Sequence, residues 1–235
     1  MGLAWSFFHP LFMLSVYTFV FSVVFKAKWG VEDDGGQATF AVILFVGMIV
    51  HGLLAEVLNR TPSLIIQNTN YVKRVIFPLE ILPLTSLISA LFHAFISVAV
   101  LMPAILILQG QLHWTILLLP VVFLPLIVLA LGLAWIMAAI GVYIRDLDQA
   151  MGVFTTILLF VSPVFFPLSA IPAEFQAYVL LNPLTFIIEQ SRAVLLFGHL
   201  PDVTGLLIYL IVSFLVMWLG FVLFQKLRKG FADVL

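Results

Sequence analysis

The sequence predicts an all-α, polytopic membrane protein with six transmembrane helices. Hydrophobic residues make up 64% of the 235 residues and charged residues only 9%, and the mean hydropathy is +1.25. Soluble domains carry about 25% charged residues, so this chain has too little polar surface to cover a core in water. A second observation supports the class: apolar segments of about 20 residues, the length that crosses a bilayer core, recur six times between charged or glycine-rich connections.

The six predicted spans are separated by charges, glycines and prolines. They cover about residues 7–25, 38–58, 84–108, 114–143, 150–168 and 205–224. The apolar tract 75–108 is too long for one perpendicular span, and we expect Pro78 and Pro83 to break it. Residues 169–204 are interrupted by prolines and charges, which predicts short re-entrant or interfacial helices between spans five and six.

The distribution of Lys and Arg in the short loops predicts the orientation of the chain. With six spans, both termini share one side of the membrane. That side holds seven basic residues, namely Arg60, Lys73, Arg74, Arg145, Lys226, Arg228 and Lys229. The opposite side holds Lys26, Lys28 and Arg192. We therefore expect both termini to be cytoplasmic.

Composition and motifs exclude several functions. Ten Lys plus Arg and eleven Asp plus Glu give a net charge of −1, which offers no support for a nucleic-acid partner. No Gly-Lys dipeptide occurs, so the chain has no phosphate-binding P-loop of its own, and any ATP use must come from a partner. No metal or organic cofactor is expected in this chain.

An acidic pair on a cytoplasmic loop leaves an enzyme open as an alternative. Asp146 and Asp148, separated by one residue, could form the metal-diphosphate motif of a membrane glycosyltransferase, whereas the adjacent Arg145 favours a charged turn. Enzymes of that kind need a sizeable catalytic loop, and the longest cytoplasmic stretch here is 59–74. Transport is therefore favoured over catalysis.

Charges inside or beside spans are energetically expensive and are candidate functional groups. Glu56 and Arg60 are four residues apart, so they share a helix face and can pair near the end of span two. Glu80 could pair with Lys73 or Arg74 across the membrane interface. For both pairs the favoured interpretation is structural, namely that the pair only anchors a helix end.

Several short motifs, taken in order, resemble one transporter family. They include Trp5 with His9-Pro10, and residues 17–21, 70–74, 77–83, 145–146, 162–165 and 182–184. Their order and spacing are similar to those of the membrane permease subunits of ABC-2-type exporters, most closely those that export O-antigen, capsular polysaccharide or teichoic acid. The resemblance covers nearly the whole chain.

This resemblance implies a homodimer with six spans per subunit, driven by two copies of a separate cytoplasmic ATPase that binds ATP and Mg. The implied substrate is a lipid-linked polysaccharide moved from the cytoplasmic to the outer face of a bacterial inner membrane. Branches of the family that export drugs or small lipids are the alternative. Family members usually begin with an additional amphipathic interface helix, so we expect the native product to be longer than this chain.

The resemblance also implies roles for two segments. Asn70, Tyr71, Val72, Lys73 and Arg74 are similar to the coupling helix that docks on the ATPase, with Tyr71 as an apolar anchor. A stop signal under the positive-inside rule also predicts the two basic residues, and the coupling role is favoured over it.

Residues 169–202 resemble the periplasmic gate helices of the family. Asn182 and Pro183 belong to the matching motif. Glu189 and Arg192 are three residues apart and could pair on one helix. Such a pair could hold the gate closed, or could merely satisfy two charges at the interface.

Overall fold

The computed structural model describes residues 3–24, 37–73 and 77–235, and all regular elements within these ranges are helical. The α-helices are α1 (Leu3–Tyr17), α2 (Gln37–Arg60), α3 (Leu64–Gln67), α4 (Thr69–Lys73), α5 (Ile81–Gln109), α6 (Leu119–Gly141), α7 (Leu147–Val161), α8 (Ala173–Leu180), α9 (Pro183–Leu195), α10 (Val203–Arg228) and α11 (Phe231–Val234). A π-helix, Thr18–Val24, continues α1, and 3₁₀ turns form at Trp114–Leu118 and Leu168–Ala170. The all-α prediction is therefore confirmed for the described residues.

Four of the described helices are long and apolar enough to cross a membrane. They are Phe40–Arg60, Ile81–Ile107, Trp114–Gly141 and Val203–Arg228. Two further apolar helices, Trp5–Phe21 and Leu147–Val161, are shorter. Four of the six predicted spans are therefore found at full length.

Two boundaries differ from the prediction because of proline. The fifth predicted span was placed at about 150–168, but α7 ends at Val161. The next residues are Ser162 and Pro163, and a residue before proline disfavours the helical conformation. Pro83, expected to break the tract 75–108, instead lies in the first turn of α5, where a missing backbone N–H costs nothing.

The chain divides into two compact units, and α2, α5, α6 and α7 contribute residues to both. The first unit consists of Met1–Gly52, Phe92–Val122 and Leu158–Asp202. Its core includes the early part of α2, where residues 40–46 are all buried. An apolar helix that is buried on every side needs partners around its whole circumference, and one of these partners is the buried Arg192 of α9, which donates to the Ile43 carbonyl.

The second unit consists of Leu53–Leu91, Phe123–Ile157 and Val203–Leu235. Its core joins residues from five separate places in the chain, namely Ile65, Leu79, Leu82, Ala138, Ala139, Val142, Phe224 and Phe231. Helices α6 and α10 approach closely through Gly132, since a Cβ built there would lie 2.6 Å from the Cα of Met217. Small residues of this kind let apolar helices pack backbone to backbone.

Candidate functional site

Residues 70–73 of the predicted coupling segment lie on the short helix α4. Asn70 and Tyr71 are exposed, Val72 and Lys73 complete the helix, and Arg74 lies outside the described residues. The Tyr71 ring is 41% exposed and stacks on Phe77, with ring centroids 4.8 Å apart. The sequence predicts an apolar anchor here, and the structure places an exposed aromatic residue at this position.

Residues on both sides of the coupling segment are held in the core of the second unit. Ile65, on α3, is fully buried, and Leu79, which precedes α5, is 5% exposed. Both belong to the same apolar cluster. The exposed residues Asn70 and Tyr71 therefore lie, along the chain, between two residues of one packed core.

Glu80 pairs with Arg228, at the end of α10. Arg228 Nη1 donates to Glu80 Oε2 at 2.9 Å, and both side chains are about one-third exposed. The backbone carbonyl of Glu80 also accepts a hydrogen bond from Trp135 Nε1 at 3.0 Å. The partner predicted from the sequence was instead Lys73 or Arg74. The neighbouring Leu82 packs in the same core as Phe224, which brings Glu80 to α10.

The second predicted cytoplasmic element, Arg145 with Asp146, is an exposed turn between α6 and α7. The Asp146 carbonyl accepts from the Ala150 backbone N–H at 3.2 Å, and Asp148 Oδ1 accepts from the Gln149 N–H at 2.8 Å. Both contacts belong to the start of α7. In the described ranges no group of three His, Asp or Glu side chains could hold a metal ion.

The i,i+4 pair predicted at the end of the second span forms. Arg60 Nη1 donates to Glu56 Oε1 at 2.7 Å, and the Arg60 side chain is 53% exposed. This exposure identifies the pair as a surface contact. Such pairs contribute about 0–1 kcal/mol to stability.

Helix α9, in the predicted gate segment of the first unit, begins with a complete N-cap. Asn182 Oδ1 accepts from the Leu184 N–H at 2.9 Å, and Pro183 occupies the first helical position. Asparagine caps satisfy the free N–H groups of a first turn, and proline fits there because its missing N–H is not needed. Asn182 Nδ2 also donates to Ser162 Oγ at 2.9 Å, which attaches this cap to the end of α7.

Arg192 is the most buried charged side chain at either candidate site, at 1% exposure. Its guanidinium donates to Glu189 Oε1 at 2.8 Å, to the Ile43 carbonyl at 3.2 Å and to the Val164 carbonyl at 3.1 Å. The predicted pairing of Glu189 with Arg192 is confirmed. The two carbonyl contacts were not predicted, and they join α9 to α2 and to the segment after α7.

Burial and the neighbouring Glu189 carboxylate shift the pKa of Arg192 in opposite directions. Burial lowers the pKa of Arg192, the Glu189 carboxylate partly offsets this, and the resulting pKa is about 10. The side chain therefore stays charged at neutral pH. A buried charge is retained only where hydrogen bonds replace its hydration. For Arg192, the backbone carbonyls of Ile43 and Val164 accept two of these hydrogen bonds.

Gly47 belongs to this site but is not among the residues predicted from the sequence. A Cβ built on Gly47 would lie 3.1 Å from Arg192 Nη2 and 3.2 Å from the Cα of Val164. The absence of a side chain therefore leaves the space that the guanidinium occupies. The signal was a glycine inside an apolar helical pattern, which points to a close approach by another group.

The chain is similar over nearly its whole length to proteins named for O-antigen export and for polysialic acid transport. It is 28% identical to the O-antigen export system permease protein RfbA of Myxococcus xanthus, with 99% of this chain and 87% of that protein covered. It is 21% identical to an RfbA of Klebsiella pneumoniae, with 100% and 87% covered. It is 23% identical to the polysialic acid transport protein KpsM of Escherichia coli, with 98% and 87% covered.

A family match covers most of the chain and includes both candidate sites. Residues 1–196 match the ABC-2 type transporter family, a range that extends from α1 to the end of α9. The apolar helices of spanning length are those a multi-pass membrane transporter requires. With more than four-fifths of its residues inside the match, this chain belongs to the ABC-2 type transporter family.

Proposed function

We propose that this protein is the membrane-spanning permease subunit of an ATP-driven exporter that moves a lipid-linked polysaccharide outward across a bacterial inner membrane. The observation that carries the proposal is the similarity, over 98–100% of the chain, to permeases named for O-antigen export and to a protein named for polysialic acid transport. The substrate would be O-antigen, capsule or a similar glycan of the cell envelope.

The proposed assembly is a homodimer with six spans in each subunit and two copies of a cytoplasmic ATPase. In addition to the four long helices, α1 with its π-helical continuation and α7 would provide the remaining passes. A 15-residue α-helix such as α7 is about 22 Å long. It is shorter than a hydrocarbon core of about 30 Å, so the bilayer would thin or the flanking residues would complete the crossing.

The proposed docking site for the ATPase is the coupling segment 70–74. An exposed Tyr71 on a helix whose neighbours Ile65 and Leu79 are buried is suited to contact a partner and to pass on its motion. Aromatic residues dominate the energetics of many interfaces, with charges at the rim. Lys73 and Arg74 would be those rim charges, and Arg145 and Asp146 would form a second contact.

We further propose that α8 and α9 are the outer gate, in interfacial or re-entrant positions. Support comes from two contacts that fix α9 within the first unit, the Asn182 cap bonded to Ser162 and the buried Arg192 bonded to α2. Pro183, at the start of α9, and Glu189, on the same helix, complete the segment. These contacts would hold the gate in one defined position.

The test begins with purification of the protein from native membranes in mild detergent, followed by mass spectrometry of co-purifying proteins. A soluble ATPase with a P-loop, recovered at about one copy per permease, is expected. Deletion of the permease should then leave lipid-linked polysaccharide on the cytoplasmic side and remove it from the cell surface. Recovery of the ATPase with unchanged surface polysaccharide would contradict the substrate and point to a drug or small lipid.

A further inference from the structure

We infer that Leu227, Arg228 and Phe231 form a clasp that fastens the coupling segment to the cytoplasmic end of α10, and that Phe231 is a positioning residue for that segment. The inference rests on the proposed function, because it assumes that 70–74 receives the motion of the ATPase. It assigns a role to α11 and to the end of α10, which lie beyond the family match at 1–196.

Phe231 provides the apolar part of the clasp. It belongs to a helix of only four residues, yet its side chain is fully buried. It shares one cluster with Ile65 and Leu79, which lie on either side of the coupling segment, and it meets the ring of Phe224 at a centroid distance of 5.7 Å. Helix α11 also contacts α4 directly. So short a helix has almost no stability of its own, so packing holds it in place.

Arg228 provides the charged part of the clasp. It is the last residue of α10 and pairs with Glu80, which lies between the coupling segment and α5. Glu80 is fixed in turn by the bond from Trp135 Nε1 to its carbonyl. The ion pair therefore joins Glu80, which follows the coupling segment, to the end of α10. Phe231 packs with Ile65, which precedes the segment.

Leu227 extends the clasp to the second predicted contact of the ATPase. Tyr143 Oη donates to the Leu227 carbonyl at 2.9 Å, and the Tyr143 ring lies 6.2 Å from that of Phe231. Tyr143 lies two residues before Arg145 in the chain. A Cβ at Gly230 would lie 2.6 Å from the Tyr143 hydroxyl, so glycine leaves room for this bond.

These contacts give the clasp a mechanical role. Side chains in a packed core move together, because few voids separate them. A displacement of α4 by the ATPase would therefore displace the end of α10 instead of being lost in a flexible loop. Removal of the Phe231 ring should loosen α4 without altering any residue that faces the ATPase.

The test is amide hydrogen exchange on the full chain in nanodiscs, followed by transport by the complex with its ATPase. In Phe231→Ala we expect exchange across 64–73 to be about tenfold faster or more, and exchange across 183–195 to be unchanged. Transport per ATP hydrolysed should fall about fivefold or more. Phe231→Leu keeps most of the volume and should behave nearly as the wild type. Val234→Ala, on the exposed part of α11, is the control.

Unchanged exchange at 64–73 in Phe231→Ala would overturn the clasp whatever the role of the coupling segment. Faster exchange with normal transport per ATP would overturn it as well. If charge reversal at Lys73 and Arg74 is also harmless, the proposed coupling role of 70–74 fails in addition, whereas the export function itself fails only if no ATPase co-purifies or surface polysaccharide is unchanged on deletion.

A second variant keeps the test available if Phe231→Ala does not accumulate in membranes. Arg228→Glu should accelerate exchange at 64–73 and reduce transport per ATP, because it places two acidic groups together. Adding Glu80→Arg should restore both measurements by reversing the pair. Failure of the double variant to recover either one would overturn the charged part of the clasp.

Discussion

Arg192 shows how one buried charge can organise a helix. An arginine that leaves water loses favourable hydration, and hydrogen bonds to charged or carbonyl oxygens must replace it. Three such acceptors come from α2, from the segment after α7 and from α9 itself. Only arginine has a planar fork of donors that reaches several acceptors at once, so lysine is not an equivalent replacement at this position.

We predict that Arg192→Met lowers the free energy of unfolding by about 3 kcal/mol, because it leaves the Ile43 and Val164 carbonyls without these donors. Arg60→Met is the matched control, since Arg60 forms an ion pair of similar length at a largely exposed site, and it should cost about 0–1 kcal/mol. Thermal unfolding followed by the fluorescence of the five tryptophans measures both. Equal losses of unfolding free energy in Arg192→Met and Arg60→Met would show that the contacts with the two carbonyls add no stability.

Two glycines of α2 provide a paired prediction. Gly47→Ala should destabilise the protein by about 1–3 kcal/mol, because the new methyl group meets Arg192 and the backbone of Val164. Gly52→Ala, on the same helix, has no atom within 4 Å of the new methyl group and should stabilise by up to about 1 kcal/mol. The same unfolding measurement applies. If both variants gain stability, Gly47 does not make room for Arg192.

At the level of elements, the cap of α9 should contribute measurably to stability. Asn182→Ala removes both the bond from the Leu184 N–H and the bond to Ser162, and should cost about 1–2 kcal/mol. Asn182→Asp keeps the cap acceptor but cannot donate to Ser162 when ionised, so its loss should be smaller. Amide exchange in the first turn of α9 reports the cap separately from global unfolding. Identical exchange in the two variants would contradict the assignment.

The proposed coupling role of segment 70–74 can be tested by reversing its two charges. Lys73→Glu combined with Arg74→Glu should reduce ATP-driven transport about tenfold or more at normal membrane levels of the protein, because reversed rim charges oppose docking of the ATPase. Lys226→Glu combined with Lys229→Glu makes the same change in charge at two exposed residues outside the coupling segment, and is the control. Transport assays in vesicles with the partner ATPase compare the two. Equal transport in both double variants would remove the coupling role from 70–74.

The sequence predicted local elements better than contacts between distant ones. It placed the second span at about 38–58, close to α2 at Gln37–Arg60, because a long apolar run ending in a charge is a local signal. The pairs Glu56–Arg60 and Glu189–Arg192 could be predicted for the same reason, since the two residues of each pair lie within about one helical turn. Glu80 and Arg228 are 148 residues apart in the sequence, and no periodic pattern predicts a partner at that distance. The sequence also gave no indication that Arg192 is buried.

For the whole molecule, the unequal distribution of basic residues predicts which parts face the cytoplasm. Seven of the ten Lys and Arg residues would lie with the termini, an imbalance that orients membrane proteins during insertion. The sequence contains no cysteine, so one introduced cysteine is the only thiol in the protein. Glu174, beside the start of α8, and Lys229, after α10, are both exposed and suit this test.

We predict that Glu174→Cys reacts with a membrane-impermeant maleimide in intact spheroplasts, and that Lys229→Cys reacts only after the membrane is permeabilised. Arg145→Cys, on the exposed turn before α7, should behave like Lys229→Cys, because its loop belongs to the more basic side. The unmodified protein is the control for background labelling. Reaction of Lys229→Cys in intact spheroplasts, with Glu174→Cys protected, would invert the orientation and place the coupling segment on the side without ATP. Labelling of both from outside would place residues 174 and 229 on the same side of the membrane, and α10, which lies between them, would then not be a single crossing.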